Sequence, residues 1–125
     1  MLATHRPKYL NLFQIRLPVP GFVSILHRIS GFALFLFTWA LLWLLQLSLE
    51  SAQGFEQVQS LAGHWFVKLF LLGMGWAFLH HFFAGVRFLL LDIHVGTGLQ
   101  GARRSSWLVL ALSLAATLAL GAWLW

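Results

Sequence analysis

Three long apolar stretches restrict what this chain can fold into. They cover residues 29–49, 65–91 and 107–125, and the first and third contain no formally charged residue. A helix of about 20 residues spans the ~30 Å hydrocarbon core of a bilayer, so each stretch is long enough to cross it. An open sheet built from so few segments would leave backbone groups unpaired in lipid. The sequence therefore predicts an all-α membrane protein with three transmembrane helices.

The predicted helices make up one membrane-anchor domain, residues 1–125, with helices at about 21–49, 64–92 and 104–125. Pro20 suits the first turn of a helix, where its missing N–H costs no hydrogen bond. Residues 50–63 and the glycine-rich segment that follows Asp92 are predicted as polar loops. The chain is 60% hydrophobic, which is more apolar surface than a soluble domain of this size can bury.

The basic residues flank the apolar stretches and do not form a patch, which indicates membrane topology and argues against nucleic-acid binding. The first loop contains no Lys or Arg, whereas basic residues precede helix one and surround the second loop: Arg6, Lys8, Arg16, Arg28, Arg87, Arg103 and Arg104. The positive-inside rule then predicts a cytoplasmic N-terminus and a periplasmic C-terminus. The first residues lack the apolar run of a signal peptide. We expect a multi-pass protein of the bacterial inner membrane.

A first polar cluster lies at the start of helix one. Its members are Ser24, His27, Arg28 and Gly31, whose spacing of i, i+3, i+4 and i+7 places them on one helical face. This face would suit the polar head of a lipophilic ligand, with Ser24 bonding a carbonyl and Arg28 stabilising an anion. In the alternative interpretation, Arg28 reaches to lipid phosphates and His27 has no role.

A second cluster lies deep in helix two. His81 is ~16 Å from Asp92 along the helix, about half the depth of the bilayer core. Gly85, one turn on, leaves room for a flat group, so His81 is a candidate axial ligand of a haem. Alternatively, His81 makes a helix–helix hydrogen bond, and Arg87 and Asp92 are a helix-end cation and its counter-charge. His80 points ~100° away and is the weaker candidate. A six-coordinate haem would need its second ligand from another chain.

These clusters resemble the two signatures of the cytochrome b anchor subunit of succinate dehydrogenase, complex II. Residues 24–31 resemble S-x-x-H-R-x-S/T-G, and residues 81–92 resemble H-x-x-x-G-x-R-H-x-x-x-D. Arg6-Pro7 and residues 12–18 are similar to the family's N-terminal arm. One departure is Phe88, which stands where many relatives have a second histidine. The resemblance covers nearly the whole chain.

The resemblance implies a role for each matching residue. His81 would be the axial ligand of haem b from this chain, with a histidine of a second anchor subunit opposite. Ser24 and Arg28 would line the ubiquinone site, and His27 and Arg28 would lie near the haem propionates. Asp92, with Arg87, would have a structural or proton-delivery role. No residue of this chain would be catalytic for succinate oxidation.

The resemblance also implies partners and a function. The partners would be a flavoprotein subunit, an iron–sulfur subunit and a second membrane anchor in a heterotetramer, which itself could form trimers. The complex would pass electrons from succinate to ubiquinone in the respiratory chain and the tricarboxylic acid cycle. Alternatives are the anchor of a quinol:fumarate reductase, a relative that has lost haem, or a small transporter or assembly protein. The absence of formal charges from the third apolar stretch argues against a transporter.

Overall fold

A computed structural model describes residues 17–125 of the chain, as four helices. They are α1 (Val19–Glu50), α2 (Ala52–Gly63), α3 (Trp65–Asp92) and α4 (Leu99–Leu124). Three of them, α1, α3 and α4, are long and apolar enough to cross a membrane. The predicted fold class, all-α with three transmembrane helices, is confirmed. The N-terminal arm around Arg6-Pro7, with Lys8 and Arg16, lies outside the described residues.

Prolines start α1 two residues before the predicted position. Pro18 has extended backbone angles, φ −66° and ψ 153°, and its carbonyl accepts from the N–H groups of Gly21 and Phe22 at 2.9 and 3.1 Å. Pro20 lies in the first turn, where the absence of its N–H leaves no helical bond unmade. The helix then runs for 32 residues, ~48 Å at 1.5 Å per residue. It is therefore longer than the hydrocarbon core alone requires.

The prediction of a polar loop over residues 50–63 is wrong, because this segment forms α2. Ser51 has extended backbone angles and caps the helix, its side chain accepting from the N–H of Gly54 at 3.0 Å. The segment is rich in Ala, Gln, Glu and Leu, which are strong helix formers. Its polarity reflects exposure, since Gly54 is its single buried residue. Polarity indicated where the chain leaves lipid but not which backbone conformation it adopts there.

The connection between α3 and α4 is shorter than predicted, and α4 begins at Leu99. His94 and Gly96 both have positive φ, 63° and 74°, and they reverse the chain within residues 93–98. A positive φ suits glycine because it has no Cβ to clash. Gly101 packs against the backbone of Gly96, where a Cβ would lie 2.8 Å from the carbonyl oxygen. Close backbone packing therefore extends α4 into a segment that its glycines had marked as a loop.

Helix α3 lies between the other two spans, packing against both α1 and α4, and α1 also contacts α4. The small buried core consists of Val23, Ala84 and Val109 with flanking apolar side chains. Most large apolar residues are exposed on the outside, including Phe32, Trp39, Trp43, Trp107 and Leu118. Since a water-soluble protein would bury such side chains, this surface is that of a protein solvated by lipid.

The interior face of α4 is polar but built from small residues. Ser106, Ser113 and Thr117 are buried, and each hydroxyl donates to a carbonyl of its own helix at 2.7 to 3.0 Å. Small side chains let transmembrane helices approach closely, and the internal bonds satisfy their hydroxyls without help from lipid. The buried serines and threonine thus allow close packing at no cost in unpaired polar groups.

We expect Gly54→Ala to destabilise the corner between α1 and α2. A Cβ at Gly54 would overlap the backbone carbonyl of Leu47, which cannot move without distorting α1. Overpacking of this kind costs about 1–3 kcal/mol in the free energy of unfolding. The measurement is unfolding of the detergent-solubilised protein followed by circular dichroism. Gly63→Ala is the matched control in α2, since nothing lies within 4 Å of its Cβ position. Equal stability of the two variants would contradict this account of the corner.

Candidate functional site

The His81 ring is held against α1 by two polar groups. Its Nδ1 lies 3.0 Å from the backbone carbonyl oxygen of His27 and 3.3 Å from the hydroxyl oxygen of Ser30. A carbonyl oxygen only accepts hydrogen bonds, so Nδ1 carries the proton in this contact. The other ring nitrogen, Nε2, makes no hydrogen bond within residues 17–125. In the described part of the chain, the predicted ligand therefore has an unpaired Nε2.

The side chain of His27 lies flat on that ring. The two imidazoles are stacked, with centroids 4.1 Å apart and planes within 6° of parallel. Phe88 contacts His27 edge-on at 5.1 Å, and a Cβ at Gly85 would lie 3.6 Å from His27 Nε2. The flat group that Gly85 accommodates in this structure is thus the His27 ring. Phe88, the departure from the family signature, is part of the same packing.

Gly31 allows α1 to approach His81 closely. A Cβ built on Gly31 would lie 2.8 Å from Cε1 of His81 and 3.2 Å from Nδ1. Such distances are shorter than van der Waals contact, so any larger residue would displace the ring or the helix. Two residues of α1 therefore hold the ring. His27 stacks on it, and Gly31 has no side chain that would push it away.

His81 lines an apolar cleft between α1 and α3 with a volume of about 510 Å³. The other lining residues are Gly31, Leu34, Phe37, Thr38, Leu41, Phe78 and Phe82. The Thr38 hydroxyl is already bonded to the Leu34 carbonyl at 2.8 Å, so His81 supplies the ring nitrogen available in this cleft. An apolar cleft with one such nitrogen can hold a flat, mostly apolar group through one directed bond.

His80 has a different environment from its neighbour. It is fully buried, lies 5.3 Å from the Trp76 ring and packs against the backbone of Val23. Neither ring nitrogen has a hydrogen-bond partner of normal geometry among the described residues. A ligand in the cleft has no access to an enclosed ring, so the geometry favours His81 over His80 as the ligand.

The first polar cluster is divided by the structure. His27 and Gly31 turn towards His81, whereas Ser24 is half-buried and Arg28 is exposed. Neither the Ser24 hydroxyl nor the Arg28 guanidinium makes a hydrogen bond within residues 17–125. The four residues share one helical face, as the spacing predicts, but the side chains of the two predicted quinone-site residues have no hydrogen-bond partner among residues 17–125.

Arg87 is buried on the side of α3 that faces α4, with 5% of its surface exposed. Its Nε donates to the Ser105 hydroxyl at 2.9 Å, and its Nη2 donates to the Ala102 carbonyl at 3.4 Å. No ion pair joins Arg87 to the exposed Asp92 within 4 Å in the described part of the chain. Arg87 thus bonds to α4 and forms no salt bridge with Asp92 in this part of the chain. Ser105 was not identified from the sequence, since nothing in its spacing links it to Arg87.

The family model described as "Succinate dehydrogenase/Fumarate reductase transmembrane subunit" matches residues 3–120. The chain belongs to this family. A relative named succinate dehydrogenase cytochrome b556 subunit, from Coxiella burnetii (strain RSA 493 / Nine Mile phase I), is 36% identical over 122 residues, which is 96% of this chain and 97% of that protein. The protein of the same name from Paracoccus denitrificans is 31% identical over 110 residues, 88% of this chain and 85% of its own length.

Family membership confirms several predictions. The chain is a transmembrane subunit of an oxidoreductase complex of the succinate dehydrogenase and fumarate reductase family. The bacterial relatives and the three apolar helices confirm a multi-pass protein of the bacterial inner membrane. Which terminus faces the cytoplasm stays a prediction from the positive-inside rule.

We expect Ser105→Ala to destabilise the packing of α3 against α4. The change removes the acceptor of the Arg87 Nε–H, and a buried donor left unpaired costs about 1–3 kcal/mol in the free energy of unfolding. Ser113→Ala is the matched control, because within residues 17–125 that buried hydroxyl bonds only to the Leu110 carbonyl of its own helix. Denaturant titration of both variants in detergent measures the difference, and a larger loss in the control would contradict this role of Ser105.

Proposed function

We propose that this chain is the haem b- and quinone-binding anchor of a succinate:quinone oxidoreductase. The observation that carries the proposal is that His81 lines an apolar cleft while its Nε2 makes no hydrogen bond within residues 17–125. At ~16 Å from the cytoplasmic end of α3, this nitrogen lies near the middle of the bilayer. An ionisable group at that depth indicates function, because lipid cannot solvate it.

The residues of the cleft fit a haem. Within residues 17–125 no three His, Cys, Asp or Glu side chains come together to hold a metal ion, so a metal here would need further ligands from elsewhere. A porphyrin would provide four nitrogen ligands, and His81 would hold the iron through Nε2. The relatives are named cytochrome b556 subunits, in agreement with a b-type haem. When bound, haem would supply a one-electron carrier, and a second anchor subunit would supply a further ligand.

The two residues proposed near the haem propionates differ in what they can contribute. The His27 ring is stacked on His81 and enclosed by Phe88 and Gly85. Arg28 is exposed and makes no side-chain hydrogen bond in the described part of the chain. A guanidinium binds a carboxylate through two parallel hydrogen bonds. Arg28 is therefore the residue that binds a propionate, and His27 acts through its packing on His81.

The quinone site is formed by Ser24 and Arg28 at the cytoplasmic end of α1. The Ser24 hydroxyl donates to a quinone carbonyl, and the Arg28 guanidinium stabilises negative charge that develops on the ring during reduction. Protons reach this end of the bundle from the cytoplasm, and the exposed carboxylate of Asp92 can exchange them with water. Arg87 holds α3 against α4, which is a structural role.

The partners in this proposal are a flavoprotein subunit, an iron–sulfur subunit and a second anchor in a heterotetramer. Succinate is oxidised on the flavoprotein, and electrons pass through the iron–sulfur subunit to ubiquinone held by Ser24 and Arg28. Because the family model describes both succinate dehydrogenase and fumarate reductase subunits, the second candidate function is the anchor of a quinol:fumarate reductase. It uses the same residues with the electron flow reversed.

Replacing each adjacent histidine by leucine tests the haem assignment. We expect His81→Leu to abolish the b-type absorbance of the purified complex, because the axial nitrogen is lost. His80→Leu, its matched control, should retain haem and unfold at an equal or higher denaturant concentration. It removes a buried ring whose nitrogens have no hydrogen-bond partner among residues 17–125, and an unpaired buried polar group costs about 1–3 kcal/mol. The measurement is the reduced-minus-oxidised visible spectrum.

Three outcomes would contradict this assignment. A haem signal that survives His81→Leu and disappears in His80→Leu would transfer the ligand to the enclosed histidine. A signal that survives both substitutions would place the axial ligands outside this pair. An intact wild-type complex without haem would leave a quinone-binding anchor in which His81 has only a packing role.

The quinone site is tested by Ser24→Ala. Loss of one hydrogen bond to the substrate, about 0.5–1.5 kcal/mol, should reduce kcat/KM for a soluble ubiquinone analogue by about 2- to 13-fold, with haem content unchanged. The control is Ser48→Ala near the other end of α1, where the hydroxyl bonds to the Leu45 carbonyl. Quinone kinetics that are the same in both variants would exclude Ser24 from the site.

A further inference from the structure

We propose that α1 sets the tautomer and orientation of His81, and that the Ser30 hydroxyl is the positioning residue for this ligand. The inference rests on the proposed binding of haem by His81. It adds that the hydrogen bonds of Nδ1, on the side of the ring away from a metal, determine how strongly Nε2 donates to iron.

The directions of the hydrogen bonds follow from the contacts themselves. The Ser30 hydroxyl donates to the His27 carbonyl at 3.0 Å, which leaves the lone pairs of the hydroxyl free to accept. The N–H at Nδ1 of His81 can then be shared between the His27 carbonyl at 3.0 Å and the Ser30 oxygen at 3.3 Å. With the proton on Nδ1 of His81, the His27 carbonyl, the Ser30 hydroxyl and the imidazole N–H are all hydrogen-bonded to one another.

Burial makes this arrangement persistent. Ser30 is 4% exposed, so water cannot replace its hydroxyl if the contact is lost. The ring plane is also fixed, because His27 stacks at 4.1 Å on His81 and Gly31 allows the backbone to lie against Cε1. A neutral imidazole protonated at Nδ1 has its lone pair on Nε2, the atom that a metal needs. The ring is thus preorganised as a ligand by its own chain.

Hydrogen bonding at Nδ1 also affects the electronic properties of the ligand. An acceptor on the distal N–H of a metal-bound histidine makes the imidazole more electron-rich, which strengthens its bond to an oxidised metal. Removing the Ser30 hydroxyl should weaken this effect and favour the reduced state of the iron. The His27 carbonyl remains as the other acceptor, so the ligand itself should be retained.

The experiment compares Ser30→Ala with Ser30→Thr in the assembled complex by redox titration of the haem. We expect Ser30→Ala to keep its haem and to shift the reduction equilibrium about threefold towards the reduced form. At 59 mV per tenfold for one electron, this is about 28 mV upwards. Ser30→Thr retains a hydroxyl and should restore the wild-type potential. A change in the low-spin electron paramagnetic resonance signal of Ser30→Ala should accompany the shift.

A second variant tests the ring position by steric means. In Gly31→Ala the new Cβ would lie 2.8 Å from Cε1 of His81, so the ring must move and haem occupancy should fall. Gly73→Ala is the matched control, since it is a transmembrane glycine with nothing within 4 Å of its Cβ position. Full occupancy and an unchanged spectrum in Gly31→Ala would contradict the positioning of His81 by α1.

The outcomes separate this inference from the proposed function. If wild type lacks haem or His81→Leu retains it, the haem assignment itself fails. If His81→Leu loses haem while Ser30→Ala has an unchanged potential and resonance signal, haem binding stands and the role of Ser30 is overturned. A potential shifted equally in Ser30→Ala and Ser30→Thr would assign the effect to packing and would also overturn the role of the hydroxyl.

Discussion

The structure depends on the satisfaction of polar groups without water. Lipid offers no hydrogen bonds, so a buried polar side chain finds its partner within the protein, binds a ligand or stays unpaired at a cost in stability. The ring nitrogens of His80 are unpaired among residues 17–125. The hydroxyls of α4 bond to their own helix, and Arg87 bonds to Ser105 and the Ala102 carbonyl. His81 bonds through Nδ1 to α1. His81 also lines an accessible cleft, and its Nε2 makes no hydrogen bond within residues 17–125, which makes it the candidate ligand atom.

The same contacts explain why adjacent histidines on one helix have different roles. A step of one residue turns the helix by ~100°, so His80 is fully buried whereas His81 lines the cleft. His80 is enclosed beside Trp76, whereas His81 rests on Gly31 and His27. Helix α1 therefore does more than span the membrane, since its backbone and one small side chain hold the proposed ligand in place.

The sequence predicted the transmembrane helices well but underestimated the structure between them. Hydropathy reports where the chain can enter lipid, and α1 and α3 lie within two residues of their predicted positions. Hydropathy did not predict α2, because the segment is polar and polar segments were interpreted as loops. Its composition nevertheless favours a helix, and Ser51 caps it. Hydropathy also placed the start of α4 five residues late. That helix begins where Gly96 reverses the chain and Gly101 packs closely on it.

The sequence by itself determined the fold class and the family, because apolar length and two spaced signatures are properties of residue order. It also determined which residues can share a helical face. Only the tertiary structure decided which of them meet across helices. His27 stacks on His81, and Arg87 bonds to Ser105, although the partners in each pair are far apart in the chain. Conversely, His80 is enclosed while its neighbour His81 lines a cleft. Helical periodicity fixes a direction around one axis, but a contact also requires the distance and rotation of a second helix, which packing alone sets.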